Sequence, residues 1–285
     1  MNMQTLVLGT ANFGENYGIA NKSGLSPDEV EEILNWSTGK ISELDTALDY
    51  KGSHQVLSKH SSKFKISSKI NLNQVASLKD IPKNVNQIID ELDTNTVERI
   101  LLRPHSTDRQ FTIDSLNEIE KLKSLGIVAE TGLSIYETNE LDFFIDSIKP
   151  PIVFQVPLNL LNRNFQEKLN SDKKRYKNCK FHVRSIFLQG LLLMNPRDIP
   201  KHLEEAIGPI SALNQELSRI GNSIIETTFA YIREQEWVNG VIIGVNSFQN
   251  LISNYEYFKQ GNKFDLTFLQ NIPAVPSRIL DPRKW

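Results

Sequence analysis

The stretch Leu44-Asp45-Thr46-Ala47-Leu48-Asp49-Tyr50 decides how this chain is read. A strand-like lead-in over 41–44 delivers Asp45, and Tyr50 follows five residues later in a segment with loop character. Working outward, a second strand-like run over 64–70 ends near Lys69, and a third over 100–105 ends at His105. An Asp, a Tyr, a Lys and a His thus stand at or just beyond the ends of three successive strands. If those strands are parallel neighbours, the four side chains converge on one mouth of one sheet. A (β/α)8 barrel assembles its active site in this way.

The rest of the chain repeats the same alternation. Strands are expected over 5–8, 41–45, 64–70, 100–105, 128–135, 152–156, 181–187 and 241–245. Helical spacing of apolar residues fills the intervals. Ser26-Pro27-Asp28-Glu29 has the form of a capping box, with Val30, Ile33 and Leu34 as the stripe behind it and Gly39 as the stop. Ser53 is expected to cap a short helix containing Val56 and Leu57, and a long helix over 203–220 is expected to break at Gly208-Pro209. Eight strand–helix units in this length point to a closed α/β barrel, a (β/α)8 TIM barrel forming a single domain over 1–285. An open dinucleotide-binding sheet would show G-x-G-x-x-G after a strand, and Gly9 and Gly14 are spaced wrongly for it.

Composition narrows the function classes. The 285 residues carry 32 basic and 34 acidic side chains, and no Lys or Arg cluster resembles a nucleic-acid footprint. The lone Cys179 excludes an internal disulfide framework and offers no zinc spacing. No apolar run has membrane-spanning length. Met1-Asn2-Met3-Gln4 leads almost directly into a strand rather than a signal peptide, so a cytoplasmic monomer or small homo-oligomer is expected.

The ordered motifs resemble the aldo-keto reductase family. They are Leu8-Gly9-Thr10, Asp45 to Tyr50, Lys69, His105, Gly132-Leu133-Ser134, Gln155 to Asn159, Arg184 to Gly190, and Gly244 to Ser247 followed by a helix carrying Asn254. Each motif is weak alone; their order and spacing span nearly the whole chain. The resemblance implies an NAD(P)-dependent oxidoreductase acting on an aldehyde, ketone or sugar carbonyl, in either direction. It makes Tyr50 the general acid/base, supported by Lys69, Asp45 and His105.

The chemistry of the residues agrees. The hydride must come from a cofactor, and a phenol near Lys69 can supply the proton if the ammonium draws its pKa down from ~10. Asp45 can hold the lysine, and a neutral His105 can orient the substrate oxygen. Asp45 and Asp49 lie too close in sequence to flank a glycosidic bond from opposite strands. A non-catalytic nucleotide-binding barrel, serving as a sensor or scaffold subunit, is the competing reading.

For the cofactor, the resemblance implies carboxamide contacts from Ser134 and Gln155, a nicotinamide covered by Arg184, and pyrophosphate near Ser185. Leu188, Gln189 and Gly190 would add backbone contacts, as would the small-residue loop at Gly9 and Thr10, beside Asp45. The helix start at Ser247 would receive the adenosine phosphate, with Gly244, Asn250 and Asn254 around it. The chain also departs from the family. Ile135 stands where an Asn is usual, and Lys51 follows Tyr50 directly. Gly244, Asn246 and Asn250 stand where NADP-preferring members carry Lys or Arg. Family habit therefore indicates NADP(H), and these residues leave NAD(H) open. Pro104 bears on how His105 is presented. The tail from Ala274 to Trp285 either folds back across the mouth or ends as a frayed terminus.

Overall fold

A computed structural model describes residues 4–14, 18–19, 24–149 and 151–285; Met1 to Met3, where the absence of a signal peptide was read, lie outside them. Eight parallel strands close on themselves in sequence order. They are β1 Thr5–Gly9, β2 Glu43–Asp45, β3 Lys65–Asn71, β4 Val97–Arg103, β5 Val128–Ser134, β6 Ile152–Pro157, β7 Cys179–Arg184 and β8 Val238–Ile243. The outer layer holds α1 Pro27–Ser37, α2 Ser53–Leu57, α3 Asp80–Leu92, α4 Arg109–Ser124 and α5 Thr138–Ser147. It continues with α6 Asn164–Ser171, α7 Ile207–Ile220, α8 Ile224–Arg233 and α9 Phe248–Gln260, and a short α10 Ser277–Leu280 lies in the tail. Among the described residues no helix is long and apolar enough to cross a membrane.

Helix starts follow local chemistry. Ser26 and Glu29 form the expected reciprocal box at α1, and Val30, Ile33 and Leu34 are buried beneath it. Each such side chain contributes about 1.5–3 kcal/mol by leaving water. Two expectations are corrected. The expected helix over 203–220 changes form just before Gly208 rather than at it: residues Lys201–Ala206 are a 3-10 helix and α7 begins at Ile207, so Gly208 and Pro209 sit in its first turn, where a missing N–H is harmless. Ser53 does not cap α2. Gly52 takes that place in a left-handed conformation, and Ser53 is the first helical residue.

Side chains alternate across each strand, and the register shows which set points into the barrel. Arg99 donates to Ser67 Oγ at 2.7 Å, to Glu43 Oε2 at 3.3 Å and to Glu130 Oε2 at 2.5 Å. These residues come from four adjacent strands and meet inside, near the end where the strands begin. His182 belongs to the same interior; burial pushes its imidazole down to about 3. A Cβ on Gly240 would stand 2.7 Å from the His182 Nδ1, so glycine makes room for that ring. Counting on by twos toward the opposite mouth, the inward set becomes Asp45, Lys69, Arg103, Ser134 and Arg184. The apolar core lies between the barrel and its helices.

Candidate active site

The mouth at the strand ends is built around Asp45. Its carboxylate accepts from Lys69 Nζ at 2.6 Å and from Gln155 Nε2 at 2.8 Å. Lys69 also donates to the Thr46 carbonyl at 2.8 Å. Both ions are buried, with side chains 2% and 8% exposed for Lys69 and Asp45. Burial pushes the Lys69 ammonium below its usual range, and Asp45 works against that shift. Ser134 donates to Gln155 Oε1 at 3.2 Å and so lies behind Gln155. Three predicted residues from three strands are thereby tied to one carboxylate.

Tyr50 is delivered by a short turn. Leu48 N bonds the Lys69 carbonyl, and Tyr50 N bonds the Ala47 carbonyl. Below the turn, the Ser53 hydroxyl meets Thr10 Oγ1 at 2.8 Å and Thr46 Oγ1 at 3.0 Å, joining the ends of β1 and β2 to α2. The first loop crosses so near that a Cβ on Gly14 would lie 1.8 Å from the Lys51 carbonyl oxygen. Only glycine allows that approach. The Tyr50 phenol is half-buried. Desolvation pushes it up to about 12; the Arg103 guanidinium pulls it down, while Asp45, Tyr136 and Asp49 push it up. The Lys69 ammonium also stands beside the phenol. Its charge lies 5.5 Å from the ring centre and is answered by Asp45.

His105 is not brought to this group. β4 ends at Arg103, because Pro104 has no N–H to continue the ladder. The imidazole turns into the next loop. There its Nδ1 accepts the Asp108 N–H at 3.0 Å and its ring meets Phe111 edge-on. The residue that β4 delivers inward is Arg103. Its guanidinium carbon lies 5.5 Å from the Tyr50 ring centre, and it pairs with Asp49. Two-residue counting from Arg99, with strand termination at Pro104, was the sequence signal for it.

A cleft runs from Tyr50 along the mouth. Its wall includes Gly9, Thr10, Asp45, Gln155, Arg184, Ser185, Gly190, Gly244, Asn250 and Asn254, each an expected cofactor contact. Leu188, Ser134 and Ser247 stand outside that wall. The Leu188 side chain is buried, and Ser247 caps α9 by accepting the Asn250 N–H at 3.1 Å. The strand expected over 181–187 stops at Arg184, and Ser185, Leu188 and Gln189 all take positive φ before Gly190. Non-glycine residues in that region hold roughly 1–3 kcal/mol of strain each, a cost found mainly at functional sites.

A dinucleotide suits this wall. Gly244 leaves open space where a Cβ would stand, and the buried Asn12 Oδ1 in the wall has no partner among the described residues. The sequence profile of the aldo/keto reductase family matches residues 5–272. The chain belongs to the aldo/keto reductase family. It is an NAD(P)H-dependent oxidoreductase. Solved relatives share the fold at low identity. An aldo-keto reductase from Bacillus halodurans is 17% identical, with a TM-score of 0.76, covering 97% of this chain and 95% of the relative. The glycerol dehydrogenase of Gluconobacter oxydans is 19% identical, with a TM-score of 0.71 and coverages of 94% and 90%. No curated protein matches the sequence.

The tail of this aldo/keto reductase folds back onto the mouth. Ile279 is buried, and Trp285 Nε1 donates to its carbonyl at 3.1 Å. Arg283 pairs with Asp281, and its guanidinium carbon stands 3.6 Å from the Tyr136 ring centre. Arg184 stands 3.8 Å from the same centre. Two guanidinium carbons that close would overlap on one face, so they take opposite faces. Tyr136, which follows Ile135, was not anticipated, and neither was this sandwich.

Proposed function

We propose that this aldo/keto reductase interconverts a small carbonyl compound and its alcohol, with Tyr50 as the group that gives or takes the proton. The observation that carries the proposal is Tyr50 in the cleft wall above a buried Asp45–Lys69 pair. A bound nicotinamide nucleotide supplies or accepts the hydride. Asp45 and Lys69 hold each other and the turn from which Tyr50 rises. With its pKa pushed up to about 12, Tyr50 is protonated at neutral pH and available as the donor in the reducing direction. Arg103, held beside the phenol, opposes the negative charge that appears when that proton leaves.

Along the adenosine end of the cleft, Gly244, Asn246, Asn250, Ser253 and Asn254 are neutral. We therefore read the nucleotide site as one that discriminates weakly between NADP(H) and NAD(H), since a 2′-phosphate finds no arginine fork among these residues. The test is Tyr50→Phe. Turnover of a simple aldehyde, followed by nicotinamide absorbance, should fall by about a hundredfold or more. Cofactor affinity should change little, because the change is confined to the transition state. Undiminished turnover would remove Tyr50 from the chemistry.

A further inference from the structure

The cations at the mouth outnumber their partners. Lys69 and Arg103 stand beside the Tyr50 ring, and Arg184 lines the same cleft as Tyr50. Lys69 feels both arginines as neighbouring charges. Lys69 is answered by Asp45 and Arg103 by Asp49. Arg184 has no carboxylate partner among the described residues; it donates to the Ile135 carbonyl at 3.0 Å and to Ser185 Oγ at 3.4 Å. Among the described residues, three cations against two carboxylates leave Arg184 without an ionic partner beside the cleft. Donors are also in surplus. A guanidinium carries five N–H groups; Arg103 uses one bond, to Asp49, and Arg184 uses two. Half-buried arginines are not left under-bonded without consequence: desolvated donors gain most from an ionised acceptor. Arg184 is fixed in place by its stack on Tyr136, which Arg283 closes from the other side.

We propose that the carbonyl substrate is anionic, and that Arg103 and Arg184 hold its carboxylate across Tyr50. This rests on the reading of Tyr50 as the proton donor, and it adds the class of substrate. The carboxylate replaces the counter-ion that Arg184 lacks. It also sets the position of the carbonyl against the phenol, so the charge serves orientation as well as affinity. Arg103 is suited to both ends of that task, since it already stands over the Tyr50 ring.

The experiment compares 4-carboxybenzaldehyde with 4-nitrobenzaldehyde. The two have nearly the same shape, and the neutral nitro compound is the more electrophilic, so intrinsic reactivity favours the wrong one. The wild-type chain should nonetheless show a kcat/KM at least roughly tenfold higher for the carboxylate, the scale of one charge-assisted hydrogen bond. Arg184→Gln and Arg103→Gln should each erase that preference, while Arg184→Lys and Arg103→Lys, which keep the charge, should retain part of it. Calorimetric binding of the unreactive pair 4-carbamoylbenzoate and 4-nitrobenzamide, in the presence of NADPH, reads the same site without turnover.

Equal handling of both aldehydes by the wild type, with equal binding of both amides, overturns the proposal. So does a loss of NADPH affinity in the Gln variants as large as the loss for the carboxylate, which would assign the arginines to the cofactor's phosphates. Arg-dependent binding of carbamoylbenzoate with no turnover of either aldehyde would uphold the anion site and defeat the Tyr50 reading. Tyr50-dependent turnover without carboxylate preference would do the reverse.

Discussion

Replacing Lys69 with Met tests the buried pair beneath the site. The two side chains are almost the same length, so packing is largely kept. Asp45 would be left with one strong partner, the Gln155 amide at 2.8 Å, in a place where its side chain is only 8% exposed. Breaking a buried ion pair by removing one partner costs about 3–5 kcal/mol, most of it the desolvation of the stranded charge. For a chain of this size each kcal/mol lowers the melting temperature by roughly 2–4 °C, so Lys69→Met should melt about 6–20 °C below the wild type. The assay is thermal unfolding followed by circular dichroism, with Asp45→Asn combined with Lys69→Met as the control. The double variant removes both charges and should recover most of the loss. A single variant melting within about 2 °C of wild type would refute the buried-charge argument. A double variant no better than the single one would move the cost from charge to packing.

Three further outcomes are expected. In fluorescence titrations NADPH should be preferred over NADH by roughly tenfold or less, about 1.4 kcal/mol; a hundredfold preference would mean that a cation from outside the adenosine wall reaches the phosphate. His182 is neutral in the fold, its pKa pushed down to about 3, and regains an ordinary value near ~6.5 when unfolded. The unfolded chain therefore binds the extra proton between those values, so stability falls as pH drops below ~6.5, by up to ~1.4 kcal/mol per pH unit. Urea midpoints measured against pH should show this slope, and His182→Gln should flatten it. Removing residues 281–285 takes Arg283 off Tyr136 and releases the Trp285 anchor. KM for the carbonyl substrate should rise while cofactor affinity holds, and identical kinetics would separate the tail from recognition.

The barrel was legible because its signals are local and repeated. Strand after strand shows inward alternation, and α1 carries a complete capping box. The site was legible where a residue lies inside a regular strand: Asp45 and Lys69, read as partners, are paired, and Gln155, read only as a cofactor contact, also donates to Asp45. It failed where the strand stops. Reading β4 through Pro104 placed His105 at the mouth, although a proline ends the ladder and leaves Arg103 as the last inward side chain. The turn after β7 was missed for a related reason. Positive φ at Ser185, Leu188 and Gln189 is imposed by tertiary structure on residues with no preference for it. The Arg184–Tyr136–Arg283 sandwich joins residues nearly a hundred and fifty positions apart (136 to 283), a distance no local pattern spans.

The close crossing at Gly14 also bears on how this enzyme could be altered. The loop that presents Tyr50 is braced there by main chain against main chain, with no side chain between them. A library aimed at new substrates would naturally randomise both loops around the mouth. Variants carrying any other residue at position 14 would displace Tyr50 before they reshaped the pocket, and screening would discard them for the wrong reason. Diversity is better placed on the far wall, at Tyr136 and along the tail, where side chains rather than backbone define the opening.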